Sequence, residues 1–211
     1  MISQPKIKPA SHSVDIAGES VELPLVAIRE SLAVPLLMVI DMGVGFGDRI
    51  RRALADRLMD KRPDIIVGAA TLGIPVAIEV SRQLKLDRYV ILQKSPKIHL
   101  CDALVESVQS VTSVGSQRLL LDRRAMPLIA GKRVALVDDV VATGSSLRAM
   151  LKLTRQASAK VVGIGVILTE GHDWREALGA DASLVTALGH IPRFRIAGGR
   201  AEPDPATLAH C

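Results

Sequence analysis

Aromatic side chains are nearly missing from this chain of 211 residues: Phe46, Tyr89, Trp174 and Phe194 are all it has, 2% of the sequence. A nucleic-acid platform built on stacked aromatics needs more of them, which argues against nucleic acid as a partner. Cysteine is as scarce. Cys101 and Cys211 make neither a disulfide framework nor a metal cluster, so a cytoplasmic address is the default expectation. Long apolar runs are missing too. The longest, Leu32 to Ile40, contains Pro35 and falls far short of the roughly 20 residues that span a membrane. The opening stretch, residues 1–13, lacks the apolar centre of a signal peptide. No block of five like charges occurs. Arg49, Arg51 and Arg52 are interrupted and read as a solvated helix face.

What remains is the composition of an ordinary globular protein, 48% hydrophobic and 23% charged. The length suits one large domain, or one domain with a small appendage. Basic residues exceed acidic ones by 27 to 22, for a formal net charge of +5. That excess leans toward an anionic ligand or surface.

There is no internal repeat and no low-complexity stretch. The first 20 or so residues and the stretch from Gly198 to Cys211 are polar or turn-rich and are expected to be loosely held. Between them, short apolar runs alternate with segments of helical period. Ile50, Leu54 and Leu58 recur at a spacing of four and predict a helix over 47–60. Ile74, Ala77 and Ile78 mark a second helix with Pro75 in its first turn, and Leu147, Met150 and Leu151 a third. Strands are predicted at 64–68, 89–93, 134–137, 161–168 and, more weakly, 183–188. Such alternation implies an α/β fold: an open, mostly parallel, twisted sheet flanked by helices. The stretch from Ser95 to Gln117 fits no helix and reads as a flexible hairpin.

The sharpest feature is Val134-Ala135-Leu136-Val137-Asp138-Asp139-Val140-Val141-Ala142-Thr143-Gly144-Ser145-Ser146-Leu147. An apolar strand runs into two adjacent carboxylates, then a loop of small and hydroxylated residues, then a helix. Ligands of open parallel sheets bind at the carboxyl ends of strands. The helix start offers free amide N–H groups and a partial positive charge, Gly144 permits close approach, and Thr143, Ser145 and Ser146 add hydroxyls. Together with Ala142 they form a cradle for a phosphate. Asp138 and Asp139 repel a phosphate placed on them and call for sugar hydroxyls or Mg²⁺ instead. A ribose 5-phosphate satisfies both halves. The plainer alternative is a turn in which one aspartate caps the helix.

Residues 134–147 resemble the signature of the type I phosphoribosyltransferases. The likeness extends over about 60–190 and is nearest to the adenine and xanthine enzymes. Pro63 to Ala77 is similar to the family's strand and pyrophosphate loop, and Gln93-Lys94-Ser95-Pro96-Lys97 to its R-K-x-x-K stretch. The resemblance implies a core at 61–190, a hood over the base formed by residues 1–60, a mobile hairpin loop and a tail from 191. It implies displacement of pyrophosphate from phosphoribosyl pyrophosphate by a free nucleobase, and a homodimer. In that scheme Asp138 and Asp139 hold the ribose hydroxyls and 142–146 the 5-phosphate. Ala70, Thr71, Leu72 and Gly73 offer amides to pyrophosphate, and Mg²⁺ bridges its oxygens, with Asp138 or Asp139 as the protein's possible share. Lys94 and Lys97 neutralise the leaving group, unless they belong to a solvated loop. Val140, Glu170, Trp174 and Phe46 border the base, although Trp174 also suits plain packing. His172 reads as a surface histidine.

Three departures bear on the substrate. Ala142 stands where hypoxanthine-guanine enzymes carry Asp. Ser110-Val111-Thr112-Ser113 lacks the loop Glu of adenine enzymes, and Gln93 replaces an Arg. A purine phosphoribosyltransferase of adenine or xanthine type is the leading expectation. The alternatives are a non-catalytic regulator sensing phosphoribosyl pyrophosphate and an orotate-type enzyme. The latter wants a lysine-rich loop, and 98–117 contains no lysine.

Overall fold

The computed structural model describes residues 10–96, 103–108 and 117–209. Five strands pair as a parallel sheet, the inner three of them apolar runs buried on both faces along most of their length. They are β4 (Ile65–Ala69), β5 (Tyr89–Leu92), β8 (Arg133–Val141), β9 (Lys160–Glu170) and β10 (Val185–Ile191), in the order β10-β9-β8-β4-β5. Every neighbouring pair in this sheet is parallel. The crossovers carry α2 (Gly73–Gln83), α4 (Ser145–Gln156) and the short α5 (Asp173–Leu178); α1 (Gly43–Leu58) precedes β4.

Side chains along a strand point to alternate faces, and β8 shows how this divides the core. Val134 and Leu136 join Leu147, Met150 and Leu153 of α4 on one side. Ala135 and Val137 join Ile50, Leu54 and Leu58 of α1 and Val76, Ala77 and Val80 of α2 on the other.

Two predicted boundaries move. The strand expected to stop at Val137 continues through both aspartates to Val141, because β9 pairs with it as far as Val141 opposite Thr169. The helix predicted over 47–60 begins at Gly43 and ends at Leu58, with Met59–Lys61 in a 3-10 turn.

The predicted hairpin is built from β6 (Ala103–Val108) and β7 (Gln117–Asp122), antiparallel with Ala103 opposite Asp122. It starts and ends later than expected. Val108, Leu119 and Leu121 are buried in the core beside α4, and this anchoring sets its register. The short α3 (Met126–Ile129) leads from it to β8.

The chain ends are not loosely held where they are described. β1 (Ser11–Ile16), β2 (Glu19–Arg29) and β3 (Leu32–Pro35) form a second, antiparallel sheet with β11 (Phe194–Ala197) and β12 (Arg200–Pro203), in the order β1-β2-β3-β11-β12. The cause is a period-two pattern, with Val14, Ile16, Val21, Leu23, Leu25 and Ala27 all buried. Residues 1–60, expected as one hood segment, are divided: β1–β3 lie in this sheet and α1 lies against the parallel one. Two of the sheet's five strands come from beyond residue 191. Among the described residues no helix is long and apolar enough to cross a membrane.

Candidate active site

The two acids lie in the last residues of β8, beside the start of α4. Asp138 is buried and Asp139 half-buried, and the Asp139 amide N–H donates to Asp138 Oδ1 at 3.1 Å. Burial pushes both carboxyls above their ordinary range, and for Asp138 the neighbouring charge of Asp139 adds to the rise. The positive charge of Lys94, on the exposed stretch after β5, opposes the shift at both. Two buried acids in contact are stabilised by donors or by a cation.

Gly144, at φ +76°, turns the chain from β8 into α4, and no side chain caps the helix. The Ser145 N–H donates to Thr143 Oγ1 at 3.4 Å, and the amides that follow in the first turn are left to solvent or to a ligand. Thr143 Oγ1 and Ser145 Oγ lie 2.9 Å apart and share a hydrogen bond at the mouth of this turn. Asp138, Val140 and residues 141–147 line a cavity of about 340 Å³. Ile28, Leu32 and Val34 of the second sheet line it too, and so do Glu170, Asp173 and Arg193.

The loop between β4 and α2 abuts the acids. The Ala70 N–H donates to the Leu92 carbonyl at 2.9 Å, and the Ala70–Thr71 peptide is cis. Thr71 is exposed and Leu72 half-buried. A Cβ on Gly73 would stand 2.8 Å from Asp138 Oδ1, so the absence of a side chain is what lets the two segments meet.

The structure thus brings together Asp138, Asp139, Val140, Ala142 to Ser146, Gly73 and Glu170, with Lys94 close enough for its charge to be felt. Lys97 and Ser110 to Ser113 lie outside the described residues. Two expectations need correction. Phe46 is buried among the apolar residues of α1, α2 and the sheet and does not line the cavity. Its position on α1, packed against the parallel sheet, keeps it from the cavity. Trp174 does not line the cavity either. It is packed with α4 and the sheet, and its indole N–H donates to the Gly171 carbonyl at 3.2 Å. Its helical neighbour Arg175 stacks over the ring, 4.6 Å from its centre. His172 is half-buried, with Nε2 2.9 Å from the Leu208 carbonyl. Sequence reasoning missed Ile28, Leu32, Val34, Asp173 and Arg193. The alternation over 21–27 marks the strand that leads to Ile28 but buries its odd positions, and nothing local marks Arg193.

The pattern described as the phosphoribosyl transferase domain matches residues 41–192, most of the chain. This protein belongs to that family. Among its phosphoribosyltransferase relatives, the xanthine phosphoribosyltransferase of Laribacter hongkongensis is 29% identical over 147 residues, 69% of this chain and 76% of that protein. The adenine phosphoribosyltransferase of Prochlorococcus marinus is 31% identical over 121 residues, 57% of this chain and 67% of its own. The solved adenine phosphoribosyltransferase of Saccharomyces cerevisiae shares the fold, with a TM-score of 0.62 at 21% identity, covering 85% of this chain and 94% of that one. The match spans about half of two other relatives. It covers 53% of an orotate phosphoribosyltransferase of Caldanaerobacter subterraneus, at 27% identity over 58% of this chain. It covers 46% of a probable purine biosynthesis transcriptional regulator of Streptococcus pneumoniae, at 29% identity over 60% of this chain.

Proposed function

We propose that this protein is a purine phosphoribosyltransferase of salvage type, moving 5-phosphoribose from phosphoribosyl pyrophosphate to an adenine- or xanthine-like base and releasing pyrophosphate. The observation that carries the proposal is the two adjacent acids on β8 beside the start of α4, with Asp138 and residues 142–146 lining one cavity. Asp138 and Asp139 accept hydrogen bonds from the ribose hydroxyls and fix the ring for in-line attack. The amides and hydroxyls of 142–146 hold the 5-phosphate. The amides of Thr71, Leu72 and Gly73 receive the pyrophosphate, that of Ala70 being bonded to the Leu92 carbonyl. The pyrophosphate departs from C1 with the bonding electrons as a base nitrogen bonds to the same carbon and gives up its proton to solvent or the leaving group. Charge grows positive on the sugar and negative on the leaving group. In this scheme Asp138 and Asp139 offset the growing positive charge, and Lys94 and Lys97 the negative one.

Mg²⁺ is implied by the family. Among the described residues no group of three or more His, Cys, Asp or Glu could cage a metal. Two adjacent carboxylates do suit a hard cation that takes its other ligands from phosphate oxygens and water. Asp138 and Asp139 are the residues that would hold it, and the ion would neutralise charge on the pyrophosphate.

We also assign a cytoplasmic homodimer. Val44 and Ile40, 91% and 57% exposed at the start of α1, are apolar surface such a pairing would cover. The deciding measurement is nucleotide and pyrophosphate formation from phosphoribosyl pyrophosphate, Mg²⁺ and a panel of free bases. A purine is expected to react. Binding of phosphoribosyl pyrophosphate with no turnover of any base would favour the regulator, and turnover of orotate alone would favour the pyrimidine enzyme.

A further inference from the structure

One end of the cavity carries polar groups that the sugar and its phosphates do not use. Glu170, the last residue of β9, is buried to 13% side-chain exposure and lines the cavity. Its nearest cation is Arg193, whose Nε stands 3.9 Å from Glu170 Oε1. That is ion-pair range but too long for a hydrogen bond. The same Nε–H is buried and has no hydrogen-bond partner.

Arg193 is nonetheless held firmly. Its Nη2 lies 2.8 Å from Asp173 Oδ2. Its backbone N–H donates to Thr207 Oγ1 at 3.0 Å, and its carbonyl accepts from the Asp204 N–H at 2.7 Å. Its guanidinium lies across Gly171, where a Cβ would meet Nη2 at 2.7 Å. A fixed donor and a buried acceptor thus stand side by side at the wall of an open cavity, neither satisfied by the other. Both side chains keep an exposed part on the cavity they line, 24% for Arg193 and 13% for Glu170, and there a ligand can supply the partner that each lacks.

We infer that Glu170 and Arg193 read the edge of the base, and that the base they select is a neutral purine presenting an N–H donor beside an acceptor. This inference rests on the transferase reading above. A carboxylated pyrimidine suits the wall poorly. Its anion would meet the carboxylates of Glu170 and Asp173, while Arg193 is already paired with both of them and Arg29 is the other guanidinium lining the cavity. Ile28, Leu32, Val34 and Val140 supply apolar surface for the rings. Asp138 and the phosphate loop remain the sugar's partners, so the two ends of the cavity divide the work.

The inference separates from a purely structural role for Arg193 by its kinetics. Glu170→Gln keeps size and removes the exclusive acceptor. Arg193→Lys keeps the charge that faces Asp173 and removes the planar guanidinium. Each is expected to lower kcat/KM for the preferred purine by roughly 10- to 100-fold and to change the ranking of adenine against 6-oxopurines. KM for phosphoribosyl pyrophosphate should stay within about twofold, and the melting temperature near that of the parent chain. Unchanged base ranking in both variants, with the parent enzyme active, overturns the inference and leaves the transferase reading intact. A loss of melting temperature that accounts for the loss of activity in both variants also overturns it, in favour of a loop clamp. No turnover of any base by the parent protein defeats the transferase reading itself.

Discussion

A carboxylate that ionises in a buried site costs free energy, and burial holds both Asp138 and Asp139 above their ordinary range. The sign follows from linkage. A carboxyl whose folded pKa lies above its unfolded one contributes stability at low pH, and that contribution is lost as pH rises through the folded pKa. The ligand-free protein is therefore expected to melt at a lower temperature at neutral pH than at mildly acidic pH on account of this pair. Asp138→Asn should flatten that dependence and raise the neutral-pH melting temperature. The same change should weaken binding of phosphoribosyl pyrophosphate by about 1.5–3 kcal/mol, the contribution of a hydrogen bond to a charged group. Differential scanning calorimetry against pH and titration calorimetry with the ligand test the two halves. A variant that is neither more stable at neutral pH nor weaker in binding removes Asp138 from the site. These two residues were legible in the sequence because they interrupt an apolar strand, where packing alone never asks for charge. Arg193 was not, since one arginine after a strand looks like any other until the fold places it against Gly171.

The site is a junction between segments, and its precision depends on how closely they approach. The 70–73 loop and the end of β8 are in contact only because Gly73 has no side chain. Gly73→Ala would drive a methyl group against Asp138 Oδ1, and one of the two segments must shift. We expect the parallel sheet to survive and affinity for phosphoribosyl pyrophosphate to fall by at least about tenfold, since a displacement near 1 Å can cost far more than that in rate. Far-ultraviolet circular dichroism together with ligand titration would expose the opposite result, a silent substitution. The strands and helices themselves could be read from periods of two and about 3.6 residues, with edges wrong by a few positions. Those edges mattered for two side chains. Because α1 begins at Gly43, Phe46 is a core residue of that helix rather than part of the hood. Because α5 begins at Asp173, Trp174 turns inward against α4. Periodicity tells which residues share a face; it does not tell which layer that face meets.

At the scale of the molecule, two sheets divide the cavity. The parallel sheet brings the acids and the phosphate loop, and the antiparallel one brings Ile28, Leu32 and Val34. The parallel layer was legible because its strands and helices alternate. The antiparallel layer was not, because its strands lie some 160 residues apart in the chain: Phe194 pairs with Ala33. Phe194 is buried with Leu25 and Ala33 and meets the His12 ring edge-on at 5.3 Å. Truncation of a buried Phe costs about 3–5 kcal/mol, and this small cluster should concentrate the loss in the hood. Phe194→Ala is expected to raise KM for the base several-fold and to leave binding of phosphoribosyl pyrophosphate within about twofold. Equal losses for both substrates would show the layers to be energetically inseparable. The pairing of β3 with β11 also sets an order of events during synthesis. A growing chain can complete its parallel sheet before β11 is made, but the antiparallel layer that borders the cavity closes only after Phe194 has emerged to pair with Ala33.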